Sequence, residues 1–213
     1  VGVVAERLAH DAYYTPVDLA EAIVGALGVL PGQSALEPSC GGGAFVRALQ
    51  ARGLAVDGVD VDPGAPGLRE VRQGLVGDFA LVDLASIAPP AGRWDWAVTN
   101  PPFSAIDAHL ARCFALADAV ALVARVTWLG ARERAGDIDA MRPDRVLLPA
   151  PRPSFLSGGA SDQAPVVVLI WYRVGSPAAL TRWETLLWRD VKGQGRALPL
   201  QDARLTWDAR GRR

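Results

Sequence analysis

Along the first third of the chain, apolar positions recur at helical spacing and then give way to short apolar runs. Pro16 to Leu30 carries Val17, Leu19, Ala20, Ile23, Val24 and Leu27, the stripe of an amphipathic helix, and Pro31-Gly32 ends it. Ser34 to Glu37 reads as a short strand, followed by a glycine cluster at Gly41, Gly42 and Gly43. Ala44 to Arg52 predicts a helix stopped by Gly53, and Leu54 to Val61 an apolar strand with Pro63-Gly64 as its turn. Asp95 to Thr99 predicts a strand closed by Asn100-Pro101-Pro102, and Ile106 to Leu116 a helix. Ala119 to Val126 reads as a buried strand, Trp128 to Met141 as a polar helix or loop, and Arg145 to Leu148 and Val166 to Tyr172 as the closing strands.

Strands alternating with helices point to an α/β fold, a doubly wound, mostly parallel sheet covered on both faces. The last two strands have no clear helix between them, so an antiparallel hairpin is expected at the sheet edge. The pattern describes a single domain over 1–213, with a core from about 10 to 175 and an arginine-rich extension over 176–213. Ligands of such sheets bind beyond the carboxyl ends of the strands. The chemically informative residues cluster there: Glu37 to Gly43, Asp60, Asp78 and Asn100 to Phe103.

Composition narrows the choices. Half of the 213 residues are apolar, which suits one domain with a sizeable core and excludes a disordered chain. Net charge is −1, so bulk charge does not drive binding to nucleic acid and a local basic face is needed. From Arg182 to Arg213 eight basic residues face four acidic ones, which offers such a face or a solvated tail. Cys40 and Cys113 lack metal-like spacing, and His10 and His109 are isolated, so no metal site is expected. A reducing compartment is the default, and neither a signal peptide nor a membrane-spanning run is evident.

The first constellation is Leu36-Glu37-Pro38-Ser39-Cys40-Gly41-Gly42-Gly43-Ala44-Phe45. Glycines let the backbone turn sharply and approach a ligand closely. Asp60, at the end of the second strand, can accept hydrogen bonds from two ribose hydroxyls. Nicotinamide and flavin enzymes share these traits, but the G-x-G-x-x-G register is missing. Glu37 would repel a pyrophosphate and suits a cationic sulfonium. Asp78 and Phe79 could meet an adenine amino group and ring.

Trp94 to Phe103 is the most specific segment, a strand running straight into Asn100-Pro101-Pro102-Phe103. The two prolines rigidify the turn and leave bare carbonyl acceptors. An amino group conjugated to a ring is a poor nucleophile because its lone pair is delocalised. The Asn100 side-chain oxygen and the Pro101 carbonyl can hold its hydrogens and favour a lone pair aimed at a methyl donor, while Phe103 stacks on the ring.

These residues together resemble the adenine-specific DNA amino-methyltransferases of the gamma arrangement, found in restriction–modification systems and phages. Tyr14-Thr15-Pro16 is similar to their N-terminal cofactor segment. Glu37 to Phe45, Asp60, Asp78-Phe79 and Asn100 to Phe103 follow in the family's order. The resemblance covers residues 10 to 125 and continues weakly through Trp128 and Arg152-Pro153-Ser154-Phe155. It implies the class I, Rossmann-like methyltransferase fold, S-adenosylmethionine as cofactor and DNA as partner, in a bacterial or phage-infected cytoplasm. It implies cofactor contacts from Tyr14, Thr15, Pro16, Glu37, Pro38, Ser39, Cys40, Gly41, Gly43, Phe45, Asp60, Val61, Asp78, Phe79 and Asn100. Catalysis falls to Asn100, Pro101, Pro102 and Phe103, with the target adenine flipped out of the stack. Phe155 is the candidate second aromatic on that base. The short span after Tyr172 departs from relatives with a target-recognition domain, so a compact, phage-like enzyme with relaxed sequence preference is expected. The alternatives are a methyltransferase acting on RNA or on a protein glutamine amide, and a catalytically idle cofactor- or DNA-binding module.

Overall fold

The computed structural model describes residues 14–130, 142–153, 155, 165–173 and 182–187. Helix α1 (Val17–Leu27) starts directly after Pro16, whose carbonyl accepts the Ala20 N–H. It stops three residues before the sequence pattern suggests, because Gly28 takes the left-handed conformation (φ 77°) that closes helices. Strand β1 (Ser34–Glu37) and helix α2 (Ala44–Gln50) flank the glycine cluster, and β2 (Ala55–Asp60) follows. Then come β3 (Gln73–Val76), β4 (Trp94–Thr99), α3 (Ile106–Leu116) and β5 (Ala117–Arg125). The chain continues through one helical turn, α4 (Val126–Leu129), to β6 (Arg145–Ala150), β7 (Val166–Tyr172) and β8 (Arg182–Leu187).

Among the described residues these strands form one sheet in the order β3-β2-β1-β4-β5-β7-β6-β8. The first five pair in parallel, β7 runs antiparallel to both β5 and β6, and β8 pairs in parallel with β6. Strand β7 reads Val-Val-Val-Leu-Ile-Trp-Tyr because it is buried on both faces. Val166, Val168 and Ile170 join the apolar cluster that contains α1 and α2, and Val167, Leu169 and Trp171 join the cluster under α3. The order of strands reverses at β1, which pairs with β2 on one side and β4 on the other. That reversal opens a crevice at their carboxyl ends.

Two expectations need correction. The β6–β7 hairpin lies one strand inside the sheet, not at its edge. The edge is β8, within the stretch assigned to the extension, so the core runs past residue 175. Arg145 anchors it with a bidentate bond to Glu184 (2.7 and 3.0 Å) and a third to the Ala26 carbonyl. The other edge strand, β3, is absent from the sequence reading because Gln73-Gly74-Leu75-Val76 is mostly exposed and has no apolar alternation. Residues 131–141 and 188–213, which hold most of the polar segment after Trp128 and of the basic tail, lie outside the described residues.

Candidate active site

The loop after β1 is built for close approach. Gly41 (φ 44°) and Gly43 (φ 78°) occupy the left-handed region that other residues rarely adopt. A Cβ on Gly41 would stand 3.1 Å from the Tyr14 ring. Tyr14 therefore lies across the loop, and the glycines are what permit it. The Gly41 carbonyl accepts the Gly67 N–H (2.9 Å), which ties the loop to the turn after β2.

Two acids frame this loop. Asp60, ending β2, accepts the Gly41 N–H with one oxygen (2.7 Å) and the Asp62 N–H with the other (2.9 Å). Glu37, ending β1, is 1% exposed and accepts the Ser39 N–H (3.0 Å). Burial pushes its carboxyl well above the ordinary 4.5; nearby Asp60 adds to the rise, and the Thr99 side chain and the Ser39 N–H oppose it. A buried acid in this condition is ready for a cationic partner. Asp78 is exposed and accepts the Ala80 N–H (2.9 Å), which shapes the turn after β3.

The Asn100-Pro101-Pro102-Phe103 turn ends β4 beside that loop. Asn100 donates through Nδ2 to the Thr15 hydroxyl (3.2 Å), which orients the amide with its nitrogen toward the N-terminal segment. One bond thus joins the Tyr14-Thr15-Pro16 stretch to the proline turn.

Helix α3 then fastens both halves. His109, 5% exposed, pairs Nδ1 with the Ala105 carbonyl (3.0 Å) and Nε2 with the Ser39 hydroxyl (3.2 Å). Burial lowers its pKa below the ordinary 6.5, against the Ala105 carbonyl and Asp78, which favour the cation; Arg112 reinforces the lowering. The ring is therefore neutral near pH 7, with the proton on Nδ1 and Nε2 accepting from Ser39. One turn on, Arg112 lies over the Phe79 ring (5.0 Å) and donates to the Phe79 and Val82 carbonyls. Phe79 also meets His109, ring to ring, at 5.1 Å. At 2% exposure Phe79 is a wall of the site rather than an open stacking platform; Val61, 47% exposed, is the accessible apolar surface beside Asp60.

A cavity of about 820 Å³ unites these pieces. Its lining includes Tyr14, Thr15, Glu37, Pro38, Ser39, Cys40, Gly41, Phe45, Asp60, Val61, Asp78, Phe79 and Asn100 to Phe103, and also His109. Three expected residues stay outside the lining. Pro16 initiates α1, and Gly43 packs behind the loop against Gly67. Phe155 is a core residue, 7% exposed within the cluster formed by α1, α2 and one sheet face. An aromatic of that size gains more from burial there than it would at a solvated rim. His109 and Arg112 were not read from the sequence as site residues. Their signal was the three-residue spacing on the helix that directly follows the proline turn, which puts both on one face.

No family model matches the chain. A type II methyltransferase of Thermus thermophilus, M.TthHB8I, is 33% identical over 95 residues, which are 43% of this chain and 21% of that protein. The chain thus spans about a fifth of the curated relative it matches. Among solved structures, the methyltransferase subunit of a type I restriction-modification system from Streptococcus thermophilus superposes with a TM-score of 0.65 at 15% identity, over 83% of this chain and 49% of that one. A structure from Pyrococcus horikoshii assigned to the RNA methyltransferases gives 0.61 at 16% identity, over 81% and 91%. The fold is that of the class I S-adenosylmethionine-dependent methyltransferases.

Proposed function

We propose that this chain binds S-adenosylmethionine and transfers its methyl group to the exocyclic 6-amino group of adenine in DNA. The observation that carries this reading is convergence. The buried acid Glu37, the Asp60-braced glycine loop and the Asn100 to Phe103 turn all line one cavity, joined by the Thr15–Asn100 bond. Similarity to a type II methyltransferase supports DNA as substrate, since such modification enzymes act on DNA.

The residues present suit the cofactor. In this reading Asp60, which braces the Gly41 N–H, also takes the ribose hydroxyls, and the left-handed Gly41 lets the ligand lie close to the backbone. Glu37 offsets the ligand's positive charge. When bound, the cofactor supplies an electrophilic methyl group on a sulfonium sulfur. The chain contributes position and polarity. Asn100 Oδ1 and the Pro101 carbonyl accept the two amino hydrogens, drawing the nitrogen lone pair out of conjugation and toward the methyl group. Phe103 stacks on the base, which must leave the duplex to reach the cavity. As the new C–N bond forms, the C–S bond breaks. The proton that the methylated amino group must shed is released to solvent water, with the Asn100 and Pro101 acceptors only holding the N–H groups in place.

The test is transfer of isotope-labelled methyl from S-adenosylmethionine to DNA, RNA and protein in parallel. Label in DNA is expected. Label only in RNA or protein, or none in any, would overturn the reading.

A further inference from the structure

Arg125 differs from the ion-paired arginines of the described residues. Arg47, Arg72, Arg93, Arg145 and Arg173 each hold a carboxylate. Arg125 makes no ion pair among the described residues, and its Nε is buried without a hydrogen-bond partner. Its guanidinium lies 4.7 Å over the Phe103 ring. That contact with the ring face engages none of its N–H donors.

Topology explains how it gets there. Strands β4 and β5 run in parallel, with Thr99 opposite Leu122. Strand β5 continues three residues further, to Arg125, about 10 Å along the sheet axis. It therefore overhangs the Asn100 to Phe103 turn at the mouth of the cavity. Arg125 is not part of the cavity wall and meets it through Phe103.

A nucleotide whose base enters this cavity must leave its sugar and phosphates at the mouth, beside the ring that receives the base. A planar fork of donors held over that ring matches a phosphodiester, which accepts two parallel N–H bonds. A base edge is a poorer match, because Asn100 and Phe103 already address the base. Resting on the nucleic-acid reading above, we propose that Arg125 binds the backbone phosphate of the nucleotide being methylated, and braces Phe103 while it does so.

The experiment is steady-state methylation of a short duplex oligonucleotide by wild type, Arg125→Met, Arg125→Gln and Arg125→Lys, repeated at several salt concentrations. Calorimetry of S-adenosylmethionine binding and a thermal unfolding scan accompany it. Arg125→Met and Arg125→Gln should raise KM for DNA at least tenfold and flatten the slope of log kcat/KM against log salt by about one, the loss of one phosphate contact. Cofactor affinity should not move. Arg125→Lys should recover the salt slope, since a point charge still binds phosphate. A folded Arg125→Met or Arg125→Gln enzyme with wild-type KM and slope would overturn the proposal and leave the substrate reading intact. So would loss of cofactor affinity and unfolding temperature together in all three variants, which would make Arg125 a packing residue. Wild type silent on the oligonucleotide would overturn the substrate reading and this one with it.

Discussion

Replacing Asp60 by asparagine removes its charge and one acceptor oxygen while nearly preserving its shape. Each oxygen now serves a main-chain donor, Gly41 N at 2.7 Å and Asp62 N at 2.9 Å. A carboxylate oxygen has two lone pairs, so ribose hydroxyls can donate to the pair that remains. Asparagine turns one oxygen into an NH₂ that faces a backbone N–H, so one brace on the loop is lost as well as one ribose acceptor. Hydrogen bonds to a charged group contribute about 1.5–3 kcal/mol, which predicts a roughly 10- to 150-fold weaker complex with S-adenosylmethionine. Loop loosening alone could imitate that loss, so the assay is a cycle. Calorimetry measures both proteins with S-adenosylmethionine and with its 2′-deoxy analogue. Wild type should lose affinity when the hydroxyl is removed, and Asp60→Asn should lose much less. Equal losses on both proteins would refute the ribose assignment and leave Asp60 only as a loop brace.

Two further outcomes follow from burial. Glu37 keeps its proton above 4.5 because burial raises its pKa, and a cationic ligand favours the ionised form. Cofactor affinity should therefore rise with pH from that value until the carboxyl ionises unaided, with proton release visible as a buffer-dependent binding enthalpy. Glu37→Gln should flatten the dependence; a flat wild-type profile over about pH 5 to 8 would contradict it. Phe155→Ala should cost about 3–5 kcal/mol of folding stability in denaturant titration, with KM for DNA unmoved, because the ring is 7% exposed in the core. Unchanged stability with a raised KM would return Phe155 to the substrate side.

What the sequence disclosed follows from how its signals arise. β1, α3 and β7 are legible with their boundaries because their apolar periods reflect burial on known faces. Much of the cavity's lining is legible because the glycine loop and the proline turn encode backbone conformation locally. β3 and β8 are edge strands whose exposed residues carry no such period, so their pairing is a tertiary fact. Two contacts at and beside the site are also tertiary. His109 reaches Ser39 across 70 positions and Arg125 reaches Phe103 across an adjacent strand, contacts that no spacing announces. Phe155 shows the converse, a motif-like aromatic whose environment only the fold decides.

Nucleoside mass spectrometry of DNA treated with the protein and methyl-labelled S-adenosylmethionine tests the central claim most directly, with Asn100→Ala alongside. The account predicts labelled N6-methyladenine from the wild type. It also predicts a roughly 100-fold slower yield from Asn100→Ala, the scale of one lost transition-state hydrogen bond. Label found only in methylcytosine, or turnover within twofold of wild type without the Asn100 amide, would contradict it.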